Sequence, residues 1–150
     1  MSRREQIKMA PEEVAAFLSE QRVVICATNG PGGWPHLMPL WYVMRGEEVW
    51  GWTYAKSQKV RNLERDPRAT LQVEDGELYH ELRGVMIEAR TTIHRDVATV
   101  ADVGAELLAR FGGGGTVDDM VRAQAAKRVG LQFSPDRVAS WDHSKLGGVY

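Results

Sequence analysis

Apolar positions recur along this chain with two different periods, and the switches between them predict its elements. Residues 10–18 carry Val14, Phe17 and Leu18 at helical spacing, with Pro11 suited to the first turn and Glu12 and Glu13 behind it. Residues 22–28 are short and β-branched, which predicts a buried strand, and Asn29-Gly30-Pro31-Gly32-Gly33 then forms a turn. A second strand is expected over 35–44, with Arg45-Gly46-Glu47 as a tight hairpin into a third strand at 48–53. Residues 57–66 read as a short helix with Ser57 as N-cap and Pro67 as the stop. A fourth strand follows at 69–74, and Asp75-Gly76 turns the chain into a long fifth strand, 78–94, which Gly84 bends or bulges. Val97, Val100, Val103, Leu107 and Leu108 make 96–111 an amphipathic helix that Gly112 ends, and Thr116 caps another over 116–127. A sixth strand at 128–133, a turn at Ser134-Pro135-Asp136 and an extended piece at 137–141 complete the pattern.

Strands in runs, with helices inserted between them, predict a mainly β, six-stranded antiparallel barrel rather than a doubly wound parallel sheet. No internal repeat or linker divides the 150 residues, so 1–150 is expected to be one domain. The apolar fraction of 43% and charged fraction of 26% are ordinary for a globular chain. A net charge of −1 argues against a protein that coats nucleic acid. Neither a signal peptide nor an apolar membrane span is present, which predicts a cytoplasmic protein with no membrane partner. The single cysteine, Cys26, cannot form an internal disulfide and lies in an apolar run, so a buried, inert thiol is expected.

Charge changes the picture at one place. From Lys56 to Arg68 there are five cations (Lys56, Lys59, Arg61, Arg65, Arg68) against two anions (Glu64, Asp66), a local excess of about +3. Helix starts carry partial positive charge and favour acids, yet here Lys56 and Lys59 flank the start. Free backbone N–H groups, the Ser57 hydroxyl and two ammonium groups together suit a phosphate or carboxylate. The alternative is a solvated basic helix with Val60 and Leu63 turned inward. A second candidate is the strand at 35–43. Pro35 and Pro39 cannot donate to a ladder, which predicts an edge or a bulge whose backbone faces the polar rim of a planar heterocycle, with Leu40 or Trp41 against its face. The alternative makes Trp41, Trp50 and Trp52 core and dimer-interface aromatics. The four histidines, His36, His80, His94 and His143, lack zinc-ligand spacing, and no Gly-Lys-Ser/Thr follows the four-glycine run at 112–115.

The stretch Ala27-Thr28-(turn)-Trp34-Pro35-His36-Leu37-Met38-Pro39 resembles the opening hairpin of the flavin/deazaflavin oxidoreductases, the superfamily of pyridoxamine-phosphate-oxidase-like split barrels. More specific is Lys59-Val60-Arg61-Asn62-Leu63-Glu64-Arg65-Asp66-Pro67-Arg68-Ala69, in the expected order of strand three, helix, strand four. The resemblance spans nearly the whole chain and looks closest to the small branch rich in users of coenzyme F420, a deazaflavin. It implies an FMN-binding type of split barrel, a homodimer with two cofactors between the subunits, and hydride transfer to a small-molecule substrate. Thr53, Lys56, Ser57, Lys59 and Asn62 match positions that grip the cofactor phosphate, and Pro39, Leu40 and Trp41 lie along the ring. Tyr79 borders the groove, and Trp141, His143 and Lys145 come from the C-terminal strand and tail, of the same or of the partner subunit. Gln58 departs from the pattern, since relatives often place arginine there. Three functions therefore stand: an F420-dependent reductase, an FMN enzyme of the same fold, or a non-catalytic binder of a cofactor, haem or tetrapyrrole. His36, His143 and Tyr79 are the candidate proton donors.

Overall fold

A computed structural model describes residues 1–111 and 117–149. The expected helix stop at Gly112, the four-glycine connection and the Thr116 cap lie outside the described residues. The chain runs α1 (Arg3–Gln6), α2 (Pro11–Glu20), β1 (Val23–Asn29), β2 (Pro35–Trp41), β3 (Val43–Arg45), β4 (Glu48–Tyr54), α3 (Gln58–Arg65), β5 (Arg68–Asp75), β6 (Arg83–His94), α4 (Val97–Arg110), α5 (Val117–Ala125) and β7 (Arg128–Asp142). Short 3₁₀ turns occupy Tyr79–Glu81 and His143–Leu146. All pairings are antiparallel, in the order β2-β1-β5-β6-β7-β4-β3.

This is the mainly β, split-barrel architecture, with seven strands instead of the six expected. The extra strand arises because 35–44 is interrupted at Tyr42. Before Tyr42 the strand pairs with β1, and after it with β4. The Tyr42 hydroxyl donates to the Leu18 carbonyl at 2.6 Å and its N–H reaches the Arg22 carbonyl at 3.3 Å, fixing the corner. The two terminal strands of the sheet are thus consecutive in sequence, so the sheet must roll to join them.

Two further expectations are corrected. The turn at 134–136 does not exist, because β7 is continuous. Glu88 pairs with Arg137 and Ala89 with Pro135, leaving Asp136 as the extra residue of a β-bulge. A proline that cannot donate is tolerated at such a bulge without ending the strand. Gly84, by contrast, sits in regular register between Glu74 and Trp141. A Cβ there would run into the Trp141 ring, so packing rather than bending requires glycine. Residues 78–82 turn before β6 begins.

Alternation along the strands sends Val24, Cys26, Leu71, Val73, Val85, Ile87, Val129, Leu131 and Phe133 into the barrel, where α2 and α3 close it with Phe17, Leu18, Val60 and Leu63. A smaller cluster outside joins Val43 and Trp50 to Val103 and Leu107 of α4, with Trp52 and Phe111 against it. Each such side chain contributes roughly 1.5–3 kcal/mol on burial, enough to fix α4 on the sheet. The aromatic weight of the meander is therefore largely internal: Trp50 is only 7% exposed.

Candidate functional site

The split of the barrel lies between β2 and β4. A Cβ on Gly51 would come within 3.2 Å of the Trp41 carbonyl oxygen, so the two strands touch there. Beyond that point neither strand has a partner on the facing side, because β2 is an end strand and β3 reaches only Trp50. The antiparallel sense carries β2 from Trp41 back past Pro39 while β4 advances past Thr53 to the turn before α3. A slit results, with Trp41 at its closed end and residues 53–57 at the other.

Lys59 meets β4 at Thr53, toward the α3 end of this slit. Its side chain reaches inward from the first turn of α3 and the residue is 5% exposed. The ammonium donates to the Thr53 hydroxyl at 3.4 Å, a long contact for a group with three donors. Burial pushes its pKa down, opposed by the charge interaction with Cys26. Cys26 lies on the interior face of β1, and burial raises its thiol to about 11 against the pull of Lys59. The thiol is inert, as expected. Ser57 is the N-cap, its oxygen accepting from the Val60 N–H at 3.3 Å. Asn62, wholly buried, donates to the Thr28 hydroxyl at 3.0 Å and accepts from the Gln58 amide at 2.8 Å. Gln58, where an arginine was anticipated by the resemblance, thus braces Asn62. Lys56 is exposed and has no ion pair among the described residues.

Strand alternation divides the ring-facing candidates. Leu40 faces inward across from Val24, on the side of Lys59, whereas Pro39 and Trp41 face outward. Edge placement of the two prolines is as anticipated. His36 also faces inward, opposite Thr28, and its buried Nδ1 has no hydrogen-bond partner among the described residues. Sequence reasoning missed that Cys26 neighbours Lys59 and that Thr28, opposite His36, holds Asn62. Period-2 spacing on two neighbouring strands was the available signal. It also missed Arg128, whose guanidinium lies 4.2 Å from the Tyr54 ring centroid and 4.8 Å from that of Trp52.

Tyr79, Trp141 and His143 form a separate group. The Tyr79 and His143 rings lie 4.6 Å apart, and His143 Nδ1 meets the Tyr79 carbonyl at 2.9 Å. Trp141 pairs with Gly84, whereas the Lys59 end of the barrel adjoins His94 through Gly130 and Trp52. On the other flank Thr28 of that end lies level with Ala69 and Ala89, so five residues of β6, a path of roughly 17 Å, lead back to Gly84. Lys145 is engaged by Glu13 of α2 at 2.7 Å. Within one chain these residues do not meet the slit.

The whole chain superposes on a conserved hypothetical protein, Rv2991, from Mycobacterium tuberculosis, at 39% identity and TM-score 0.91, covering 100% of this chain and 95% of that one. An F420 reductase shares the fold at 24% identity and TM-score 0.72, over 87% of this chain and 98% of that one. So does HutZ, a haem storage protein from Vibrio cholerae, at 18% identity and TM-score 0.70, over 89% and 97% of the two chains. No curated protein matches the chain. Residues 10–142 match the family model described as pyridoxamine 5'-phosphate oxidase. The chain belongs to that family, and its fold is the split barrel of that superfamily.

Proposed function

We propose that this chain is an oxidoreductase that holds coenzyme F420 along the β2–β4 slit, its phosphate at the start of α3, and exchanges a hydride with a small electrophilic molecule. One observation carries the proposal: Lys59 is a buried ammonium whose nearest hydrogen-bond acceptor is a hydroxyl at 3.4 Å. An unpaired buried cation costs several kcal/mol, so the site is suited to an anion that the chain does not itself supply. Ser57 can donate its hydroxyl proton to the same anion while its oxygen caps Val60. The first turn of α3 adds free N–H groups and partial positive charge. Lys56 adds its charge from the solvent side, and the free edge of β2 offers backbone groups to a polar ring rim. His36 faces the same interior as Lys59 and is the proton-donor candidate best placed for this end. Bound there, the deazaflavin would supply the hydride chemistry, and the chain would supply orientation, charge and exclusion of water. The F420 reductase among the structural neighbours supports this choice of cofactor.

FMN is the second reading, and the shortness of the basic strip favours it. The Arg65 guanidinium donates to the Asn29 carbonyl and Arg68 pairs with Asp66 at 2.8 Å. Among the described residues, Lys56 and Arg61 are left along the strip for a longer polyanionic tail. Titration of the full chain with F420 and FMN, each oxidised and reduced, decides between them. Replacing Lys56 and Lys59 together by alanine should weaken binding of the preferred cofactor at least tenfold with the circular dichroism spectrum unchanged. An unchanged dissociation constant would count against the whole proposal.

The working unit in this reading is a homodimer. Trp34 is 83% exposed and Trp41 54%, and with Leu37 they leave apolar surface along an end strand. Monomers rarely leave such a strip uncovered. Light scattering at micromolar concentration should give twice the chain mass; the mass of one chain would remove this part.

A further inference from the structure

We infer that Phe111 is a positioning residue that presets the Trp41 indole as a stacking shelf for a planar heteroaromatic ring, an inference that rests on the cofactor proposal above. The Trp41 and Phe111 rings are stacked, with centroids 4.1 Å apart and planes 12° from parallel. Behind Phe111 lies Arg22, its guanidinium carbon 5.8 Å from the ring centroid. Arg22 and Trp41 are both exposed, and Phe111, which each of them contacts, is half-buried.

The foundation of this pile is set by three elements. Phe111 closes α4, its N–H bonded to the Leu107 carbonyl at 3.1 Å, and α4 is held by Val103 and Leu107 against Val43 and Trp50. Its neighbour Arg110 donates to the Ser19 carbonyl at 2.7 Å and the Tyr42 carbonyl at 3.2 Å, and also to the Gln21 carbonyl. It thereby ties the end of α2 to the β2–β3 corner. An indole fixed on one face by such a support has its other face available without further loss of side-chain freedom. Preorganisation of that kind favours binding of a flat ring.

Placement relative to the slit fits. Trp41 stands where the slit closes on Gly51, and five residues of β2, about 17 Å, separate it from His36, which lies opposite the Thr28 that Asn62 of α3 holds. A ring on the outward face of Trp41 and an anionic tail crossing the free edge of β2 to Lys59 would occupy two distinct subsites. The competing role for the stack is merely to anchor α4.

Two probes separate the subsites: riboflavin, which has the ring without phosphate, and inorganic phosphate, which has the charge without the ring. Trp41→Ala should raise the riboflavin dissociation constant at least tenfold and leave that of phosphate within twofold. Phe111→Leu should raise it three- to tenfold, and Phe111→Tyr should restore it. The emission of bound riboflavin, quenched by a stacked indole in the wild type, should recover in Trp41→Ala and partly in Phe111→Leu. A Phe111→Leu protein that melts earlier yet binds and quenches riboflavin normally makes the stack an anchor only, and overturns the inference. Ring binding indifferent to Trp41, beside phosphate binding that still needs Lys59, overturns it while sparing the cofactor proposal. Failure of the wild type to bind either probe removes both.

Discussion

The two ends of the barrel hold their polar side chains in opposite settings. At the α3 end, Lys59, Asn62, Thr28 and Cys26 are buried, and their hydrogen bonds are buried or partly so. At the other end, Tyr79 and His143 lie against each other on the surface, where water competes for every polar contact. Low local dielectric strengthens a satisfied bond and magnifies the cost of an unsatisfied charge. The α3 end is thus rigid through Asn62 and electrostatically unfinished at Lys59. The C-terminal end is neither. Chemistry with an anion is expected where the field is strong, and the difference can be broken open by three substitutions.

The largest effect belongs to Asn62→Ala. It removes one buried and one part-buried hydrogen bond and leaves the Thr28 hydroxyl and the Gln58 amide without that partner. A loss of about 3 kcal/mol in urea unfolding is expected, with phosphate binding lost in proportion to the loosening of α3. A loss under about 1 kcal/mol would mean that the α3 end is wetter than its burial implies.

Lys59→Met should act in the other direction on stability. Exchanging a buried, weakly bonded ammonium for an apolar chain of similar length is expected to stabilise the ligand-free protein by about 1–2 kcal/mol while abolishing phosphate binding. The pH dependence sharpens this. Because burial lowers the Lys59 pKa below its usual 10.5, the unfolded chain keeps that proton to higher pH, and stability rises with pH across the gap. Cys26 works oppositely: its folded thiol holds the proton to about 11 and its unfolded thiol only to 9.0, so stability falls between those values. Two units correspond to roughly 2–3 kcal/mol. With the lysine gone, the fall from pH 9 to 11 should be steeper than in the wild type. Equal slopes in the two proteins would mean that Lys59 titrates as a solvated amine.

What was legible in the sequence is what short spacing encodes. Ser57 as N-cap, Pro67 beyond the helix end, the hairpin at 45–47 and the cations around α3 each depend on residues within one or two turns, and each stands where expected. The inward turn of Lys59 was half legible, since Val60 and Leu63 marked the buried face but gave no sign that an ammonium would join it. Features set by partners far along the chain were not legible. The switch of β2–β3 from β1 to β4 hinges on Tyr42 reaching Leu18, and the continuity of β7 through Pro135 depends on β6 tolerating a bulge. The local signals there, an unbroken strand and a Ser-Pro-Asp turn, pointed the other way.

The smallest expected effect is the most telling about whether the two ends ever meet. His143→Ala removes a surface hydrogen bond at 2.9 Å and a ring contact, so unfolding should shift by no more than about 0.5–1 kcal/mol. Within one chain Gly84, beside Trp141, lies roughly 17 Å along β6 from the level of Thr28, and phosphate affinity should stay within twofold of the wild type at protein concentrations too low for self-association. If a second copy brings its C-terminal end to the slit, riboflavin affinity should depend on His143 only above the concentration at which the chain dimerises, while phosphate affinity remains unaffected. Dependence on His143 at every concentration would contradict the separation of the two ends. Independence throughout would assign Tyr79, Trp141 and His143 to the fold and leave the ring subsite to β2, β4 and Phe111.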